Sequence, residues 1–255
     1  MTEETTKPKE VQPQEQPVHM PIIEEMAKAG LFLGHKKSKT HPRMKPFVFS
    51  VRNGMAIFDL AKTLEALTKA LEFVKASVAA KGSILVVGTT PASKAAVEAW
   101  AKKLGMPFVA ERWLGGTLTN FKVLSKRVAH FKKLKIDRAA GKFEKYTKKE
   151  RLDIDREIDK LTLKFSGVEN MDALPQLMLI VDVNSHIIAI KEAQRMGIPV
   201  VAIINTDADP KLVTYPIPCS DRSRSSIEWV LAKLEEAVNE GKSAIVTVAP
   251  ASPKA

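Results

Sequence analysis

Cationic side chains carry the most evident chemistry of this chain, and they are concentrated in two segments. From Lys36 to Arg52 there are six Lys and Arg residues and no Asp or Glu, and the prolines among them favour a loop. Between Lys122 and Lys164, 15 Lys and Arg residues stand against 7 Asp and Glu residues, which supplies most of the formal net charge of +11. Such an excess indicates a polyanionic partner, most commonly nucleic acid, with a solvated basic surface as the alternative.

The second basic segment also has a narrow apolar pattern. Its apolar residues recur at steps of three and four, at Phe121, Leu124, Val128 and Phe131 on one arm and at Ile154, Ile158, Leu161 and Phe165 on the other. These steps are typical of coiled coils, and Gly141 separates the two arms. The pattern predicts an antiparallel helical hairpin over residues 117–167, with a thin apolar seam and basic outer faces.

The segment from Gly88 to Lys94 has residue types that occur in phosphate sites. It follows a predicted strand and opens a predicted helix, where free backbone N–H groups can bind an anion. Its spacing fits neither of the common glycine-rich phosphate motifs. Thr90 as the N-cap before Pro91 explains the same residues without a ligand, and we favour that interpretation.

Asp207, Asp209, His35 and His41 are the candidates for metal ligation. The two aspartates follow a predicted strand and have the ligand atoms for Mg²⁺ or a ribose, but Asx-turns are the simpler account and no general base or nucleophile accompanies them. The two histidines lie six residues apart in a loop with no Cys, Asp or Glu nearby in sequence, and zinc sites need three or four ligands. We therefore predict no metal site and no cofactor. His130 and His186 have no recognisable partner in the sequence.

The segment from Arg112 to Asn120 lies where the chain leaves the predicted sheet for the hairpin. Arg112 and Trp113 have the side chains to grip or stack on nucleic acid, and Trp113 can equally wedge the base of the hairpin against the sheet. The single cysteine, Cys219, excludes an intramolecular disulfide and fits a reducing compartment. No apolar run is long enough to cross a bilayer and no secretory pattern is present, so we predict a cytoplasmic protein.

Short apolar strands alternate with amphipathic helices along the rest of the chain. This alternation predicts an α/β fold, a doubly wound parallel sheet with helices on both faces, formed by residues 18–116 and 168–242. The hairpin is predicted as an insertion into this domain. Residues 1–17 and 243–255 are predicted to be flexible tails. Asn53-Gly54 between two apolar runs predicts a β-hairpin.

An ordered set of motifs resembles the bacterial-type small-subunit ribosomal protein S2 family. The motifs are Gly34-His35, the run from Arg112 to Phe121, Pro175 to Asp182, Glu192-Ala193, Gly197 to Ala202, Thr206, Asp209-Pro210 and Tyr215 to Pro218. They span nearly the whole chain apart from the tails. The resemblance implies a flavodoxin-like domain with a protruding helical hairpin, bound to small-subunit ribosomal RNA as a structural component rather than an enzyme. It also implies support for docking of the mRNA-binding ribosomal protein S1.

The sequence departs from the family pattern near the last helix. Asn205 stands where the family commonly has Asp, and Cys219 to Arg222 replaces an Asn-Asp-Asp run. These departures leave two possibilities for its source, a divergent bacterial ribosome or an organellar one.

Our prediction is therefore a ribosome-bound protein that binds ribosomal RNA by charge neutralisation and contacts neighbouring small-subunit proteins, including S1. The predicted RNA-binding residues are Lys36, Lys37, Lys39, Arg43, Lys45, Arg52, Arg112, Lys122, Lys126, Arg127, Arg222 and Arg224. The alternative is an α/β enzyme that binds a nucleotide or sugar phosphate through residues 88–93 and the aspartates at 207 and 209. A moonlighting adhesion or scaffold role has no sequence feature for or against it.

Overall fold

Buried apolar strands and amphipathic helices alternate in the computed structural model, which describes residues 20–247. In chain order, the helices are α1 (Met20–Lys28), α2 (Leu60–Ala79), α3 (Pro91–Leu104), α4 (Phe121–Ala139), α5 (Lys148–Phe165), α6 (Ile187–Met196) and α7 (Arg224–Thr247). The strands are β1 (Leu33–Lys36), β2 (Val48–Arg52), β3 (Met55–Phe58), β4 (Ile84–Val87), β5 (Phe108–Val109), β6 (Leu177–Val181), β7 (Val200–Ile204) and β8 (Tyr215–Pro218). Residues 1–17, predicted as a tail, lie outside the described residues. The second predicted tail starts at 243, but α7 continues through Thr247, and residues 248–255 lie outside the described part.

Strands β4 to β8 form a five-stranded parallel sheet in the order β5-β4-β6-β7-β8. This is the flavodoxin-like order, in which the chain reverses direction across the sheet between β4 and β6. Successive side chains of a strand face opposite sides, so both faces of these strands are apolar and buried. One face packs against α2, α3 and α7, and the other against α6 and the apolar sides of α4 and α5. The predicted fold class is confirmed.

A second, antiparallel sheet has the strand order β1-β3-β2. The predicted β-hairpin joins β2 to β3 through Asn53 and Gly54, whose φ angles of 48° and 75° suit the two-residue turn that Asn-Gly favours. Strand β1 was not predicted, because its sequence, Leu-Gly-His-Lys, shows no alternation of apolar and polar residues. It places His35 beside the end of β7, where the His35 N–H donates to Thr206 Oγ1 at 2.9 Å.

Strand β8 lies at the edge of the parallel sheet. Pro216 and Pro218 cannot donate ladder hydrogen bonds, which restricts this segment to the edge of a sheet. An edge strand needs partners on one side only, and β8 pairs with β7 from Tyr215 to Pro218. The edge position therefore accommodates both prolines.

Helices α4 and α5 run in opposite directions beside each other. Arg138 near the end of α4 pairs with Asp155, whereas Phe131 lies 6.4 Å, between ring centroids, from Phe165 at the end of α5. Both phenylalanines belong to an apolar cluster that continues into the α6 face of the parallel sheet. Gly141 follows α4 with a φ of 68°, which reverses the chain before Thr147 caps α5. Within the described residues, no helix combines the length and the apolarity that crossing a membrane requires.

Candidate nucleic-acid interface

The basic loop between β1 and β2 is held at its base by backbone hydrogen bonds. The Lys37 N–H donates to the Gly54 carbonyl at 2.8 Å, and the His41 N–H donates to the Thr206 carbonyl at 2.7 Å. Two short 3-10 turns, Lys37–Lys39 and Pro42–Phe47, make up most of the loop, and the second places Met44 in the core. The backbone is therefore anchored while the cationic side chains face solvent.

All twelve predicted RNA-binding residues are exposed. Ten of them have no carboxylate oxygen within 4.0 Å among residues 20–247. The exceptions are Arg43, which pairs with Asp209, and Arg224, which pairs with Glu228 on the same helix. A cation without a protein counter-ion can neutralise a phosphate without first breaking an ion pair. The ten unpaired residues therefore form the stronger part of the predicted interface.

The outer side of α4 presents a row of cationic residues. Lys122, Lys126 and Lys133 fall on one helix face, opposite the buried Leu124 and Val128. The row extends over about 16 Å at ~1.5 Å per residue. No acidic residue lies between Lys122 and Lys133, so this half of α4 is uniformly basic. The acids of the hairpin begin at Asp137, close to the turn.

The connection from the sheet to α4 is fixed by one buried carboxylate that sequence reasoning did not assign a role. Glu192 of α6 accepts hydrogen bonds through Oε1 from Trp113 Nε1 at 3.1 Å and from the Gly116 N–H at 2.8 Å. Its Oε2 accepts from the Leu118 N–H at 3.0 Å and from the N–H and hydroxyl of Thr119, both at 3.3 Å. Burial by itself raises the pKa of Glu192, but these hydrogen bonds outweigh it, so the pKa lies below its usual value.

The contacts of Glu192 decide between the two interpretations of Trp113. The indole N–H is engaged by the carboxylate, and the ring is half-buried against the apolar cluster on the α6 face. Trp113 therefore wedges the base of α4 against the sheet. Arg112, one residue earlier, is exposed and unpaired among the described residues.

The loop from Gly88 to Lys94 is occupied by the protein's own groups. A Cβ at Gly88 would lie 2.8 Å from Val97 and 2.9 Å from Ser93, so this glycine allows α3 to pack closely on β4. The Thr89 N–H, the donor that a phosphate would need, points at His186 Nε2 at 3.3 Å. Thr90 precedes Pro91 as predicted, but its hydroxyl pairs with the Ser93 hydroxyl at 2.8 Å and makes no hydrogen bond to the helix backbone.

His186 has partners that the sequence did not reveal, because Thr89 lies 97 residues away. Its Nδ1 donates to the Asp182 carbonyl at 2.7 Å, which leaves Nε2 to accept from the Thr89 N–H. Burial lowers the pKa of His186, and the hydrogen bond to Asp182 opposes this without reversing it. The neutral ring links the loop after β4 to the loop after β6.

The structure separates the two aspartates that sequence reasoning grouped. Asp209 accepts from the Lys211 N–H at 3.0 Å, an Asx-turn as expected, and pairs with Arg43. Asp207 instead faces His35, whose Nε2 lies 3.5 Å from Asp207 Oδ2 and 4.0 Å from Asp221 Oδ1. No acidic residue lies near His35 in sequence, but the fold brings Asp207 and Asp221 beside it. His41 caps a turn through its Nδ1, which accepts from the Arg43 N–H.

Comparison with known proteins identifies the family to which this chain belongs. The family model of "Ribosomal protein S2" matches residues 26–241. The chain is 44% identical over 220 residues to the "Small ribosomal subunit protein uS2" of Bifidobacterium adolescentis, covering 86% of this chain and 81% of the relative. It is 42% identical over 217 residues to the protein of the same name from Roseiflexus sp., covering 85% and 83%.

The chain belongs to the ribosomal protein S2 family. It is thus a small-subunit ribosomal protein, and its relatives are named as ribosomal proteins rather than as enzymes. This excludes the alternative of an enzyme that binds a nucleotide or sugar phosphate. In agreement, the protein's own groups fill the loop at Gly88, and Asp207 and Asp209 contact different residues.

Two of the departures from the family pattern lie together in the structure. Asn205 donates through Nδ2 to Asp221 Oδ1 at 2.6 Å, whereas an aspartate at 205 would place two carboxylates in contact. Burial raises the pKa of Asp221, the hydrogen bond from Asn205 opposes this, and the negative charges of Asp182 and Asp207 raise it further. Cys219 is fully buried and burial raises the pKa of its thiol, so it is an unreactive core residue.

Proposed function

We propose that this protein binds small-subunit ribosomal RNA through the basic loop and the cationic face of α4. The observation that carries the proposal is that, of the ten exposed cations without a carboxylate within 4.0 Å in the described part of the chain, eight lie between Lys36 and Arg52 or on α4. Unpaired cations on an anchored loop and a fixed helix are arranged to neutralise phosphates at defined positions. Membership of a ribosomal protein family supports ribosomal RNA as that polyanion.

The contacts are expected to be mainly with phosphate and sugar. Lys predominates in both segments, and an ammonium group binds phosphate as a point charge without reading base edges. Trp113, the aromatic residue beside Arg112, is engaged by Glu192 and packs on the protein core. Specificity is therefore expected to come from RNA shape, because the loop and α4 present their cations in a fixed geometry.

The salt dependence of RNA binding tests this proposal. Affinity of the purified chain for a small-subunit ribosomal RNA fragment should fall linearly on a double logarithmic plot against salt, because each neutralised phosphate releases counter-ions. Replacing Lys36, Lys37 and Lys39 together with Gln should reduce the magnitude of that slope by about 2–3, at ~0.7–0.9 per phosphate contact. Replacing Lys122, Lys126 and Lys133 should have a similar effect.

A matched control removes the same charge from another part of the surface. Lys28, Lys69 and Lys81 are exposed and have no ion pair in the described structure, and they lie on or just after α1 and α2. Their joint replacement with Gln should leave the slope within about one unit of wild type. Equal losses in the control and in either test variant would mean that net charge alone governs binding, and the proposed interface would be wrong.

We also propose, from the family resemblance, that the ribosome-bound protein supports docking of ribosomal protein S1 in the cytoplasm. The test is sucrose-gradient sedimentation of small subunits reconstituted with and without this chain, followed by quantification of S1. Equal S1 occupancy in both preparations would refute this part of the proposal and leave RNA binding unaffected.

A further inference from the structure

Gly115, in the connection from the sheet to α4, is a glycine that the folded chain itself does not require. All twelve glycines of the chain lie within residues 20–247. Six of them adopt a positive φ, and a Cβ on each of five others would come within 3.0 Å of another atom. Gly115 has neither constraint, because its φ is not positive and a Cβ there would meet nothing within 4 Å. Glycine also lets a ligand approach the backbone closely, and this role fits Gly115.

Gly115 lines an open cavity of ≈ 290 Å³ at the base of the hairpin. Its apolar lining comes from Leu114 on the loop, Val123 and Leu124 on α4, and Phe165 at the end of α5. Val123 is 45% exposed, so part of this apolar surface faces solvent. Sites for small molecules measure about 300–1,000 Å³, and this cavity therefore suits a group of the size of one nucleobase.

Three polar groups at the cavity have no partner among residues 20–247. The backbone N–H of Gly115 donates no hydrogen bond. The side chain of Asn120 makes none either, although an asparagine directly before a helix commonly accepts one from the helix backbone. Arg127 is exposed and has no carboxylate within 4.0 Å. A side-chain amide and an N–H can pair with the edge of a base, and a guanidinium can contact a phosphate or stack on a base.

The charge around the cavity favours RNA as its occupant. None of the described residues that line it is acidic. Lys122 and Lys126, which flank Val123 and Leu124 in sequence, are exposed and belong to the unpaired cations of α4. An unpaired nucleotide can place its base in an apolar cavity while its phosphates stay at the basic surface. A base within a double helix is already stacked and paired, so it cannot enter.

We propose that this cavity binds one unpaired base of ribosomal RNA. Asn120 and the Gly115 N–H pair with the edge of the base, and Arg127 contacts the adjoining phosphate. The absence of a side chain at Gly115 leaves room for the base against the backbone. The proposal rests on the function proposed above, that this chain binds ribosomal RNA, and it adds a contact that recognises a base to the contacts with phosphates.

Partial filling of the cavity tests the proposal. Gly115→Leu adds a side chain to the lining without removing a charge, and Asn120→Ala removes the amide without adding volume. Affinity of each full-length variant for small-subunit ribosomal RNA should fall by about 5- to 100-fold, the loss typical of one base contact. The slope of log affinity against log salt should stay at the wild-type value, because no cation is removed. Circular dichroism and urea unfolding verify that both variants fold.

The control variant is Ala79→Leu, because Ala79 is exposed at the end of α2 and lies outside the cavity lining. It should bind the RNA with wild-type affinity. Chemical probing gives a second readout: reagents that modify unpaired bases should find one base that wild type and Ala79→Leu protect and that Gly115→Leu and Asn120→Ala leave reactive. Protection of the RNA backbone from hydroxyl radicals should be equal for all four proteins.

The outcomes separate this proposal from the function on which it rests. A wild-type chain that does not bind the RNA would refute RNA binding itself. Wild-type affinity and base protection in both Gly115→Leu and Asn120→Ala would overturn the base site and leave RNA binding intact. If these two variants bind RNA normally but fail to enter reconstituted small subunits, a neighbouring protein occupies the cavity, and the assignment to an RNA base is wrong.

Discussion

Glu192 is the side chain whose replacement most directly tests how the sheet controls the direction of α4. Its carboxylate accepts five hydrogen bonds from Trp113, Gly116, Leu118 and Thr119, the segment that leads into the helix. The substitution Glu192→Gln keeps the size of the side chain and replaces one oxygen by an NH₂ group. An amide can face only one of the two donor groups with its oxygen, so the other group of N–H donors then meets an N–H group.

The magnitude follows from counting the donors that lose an acceptor. With its oxygen at the Oε1 position, Gln retains Trp113 Nε1 and the Gly116 N–H but turns its NH₂ group towards the N–H groups of Leu118 and Thr119. With the opposite orientation, Trp113 and Gly116 lose their acceptor. Each unsatisfied buried donor costs about 1–3 kcal/mol, and partial hydration of this half-buried loop lowers the total, so we expect about 2–4 kcal/mol of lost unfolding free energy.

Urea unfolding of wild type, Glu192→Gln and a control measures this cost. Glu228→Gln is the matched control, because Glu228 is an exposed helical glutamate whose ion pair with Arg224 should be worth under ~1 kcal/mol. Amide hydrogen exchange adds a local readout: the N–H groups of Gly116, Leu118 and Thr119 should lose protection first. A loss below about 1 kcal/mol for Glu192→Gln, or one equal to the control, would refute the view that this carboxylate anchors the segment.

Two further predictions concern pH and close packing. The folded-state pKa of Glu192 is lowered, so its contribution to stability is present above the unfolded pKa of about 4.3 and is lost as the pH falls through the folded value. The difference in unfolding free energy between wild type and Glu192→Gln, measured by urea unfolding, should therefore be full at pH 7 and shrink below roughly pH 4.5. Gly167→Ala should destabilise the fold by about 1–3 kcal/mol or more, because a Cβ there would overlap the Phe108 carbonyl. The control is Gly115→Ala, whose Cβ would have nothing within 4 Å and which should change the unfolding free energy in the same assay by less than ~0.5 kcal/mol.

Local patterns in the sequence predicted most of the elements of the parallel sheet. Strand β4 and helix α3 lie on either side of the loop at Gly88, as predicted, because an all-apolar run of four residues precedes the loop and a proline stands at the first helical position. Asn53-Gly54 predicted the hairpin because few other dipeptides adopt positive φ at both positions. In each of these cases the determining interactions lie within one element or one turn.

The features that the sequence did not predict depend on contacts between distant residues. Glu192 lies 73 to 79 residues from its donors, and His35 lies 171 residues from Thr206. From sequence alone, a carboxylate on an amphipathic helix is expected to be solvated. Only the fold shows that a distant loop covers Glu192. For the same reason, Asp207 and Asp209 were paired by proximity in sequence, although successive turns direct them to His35 and Arg43.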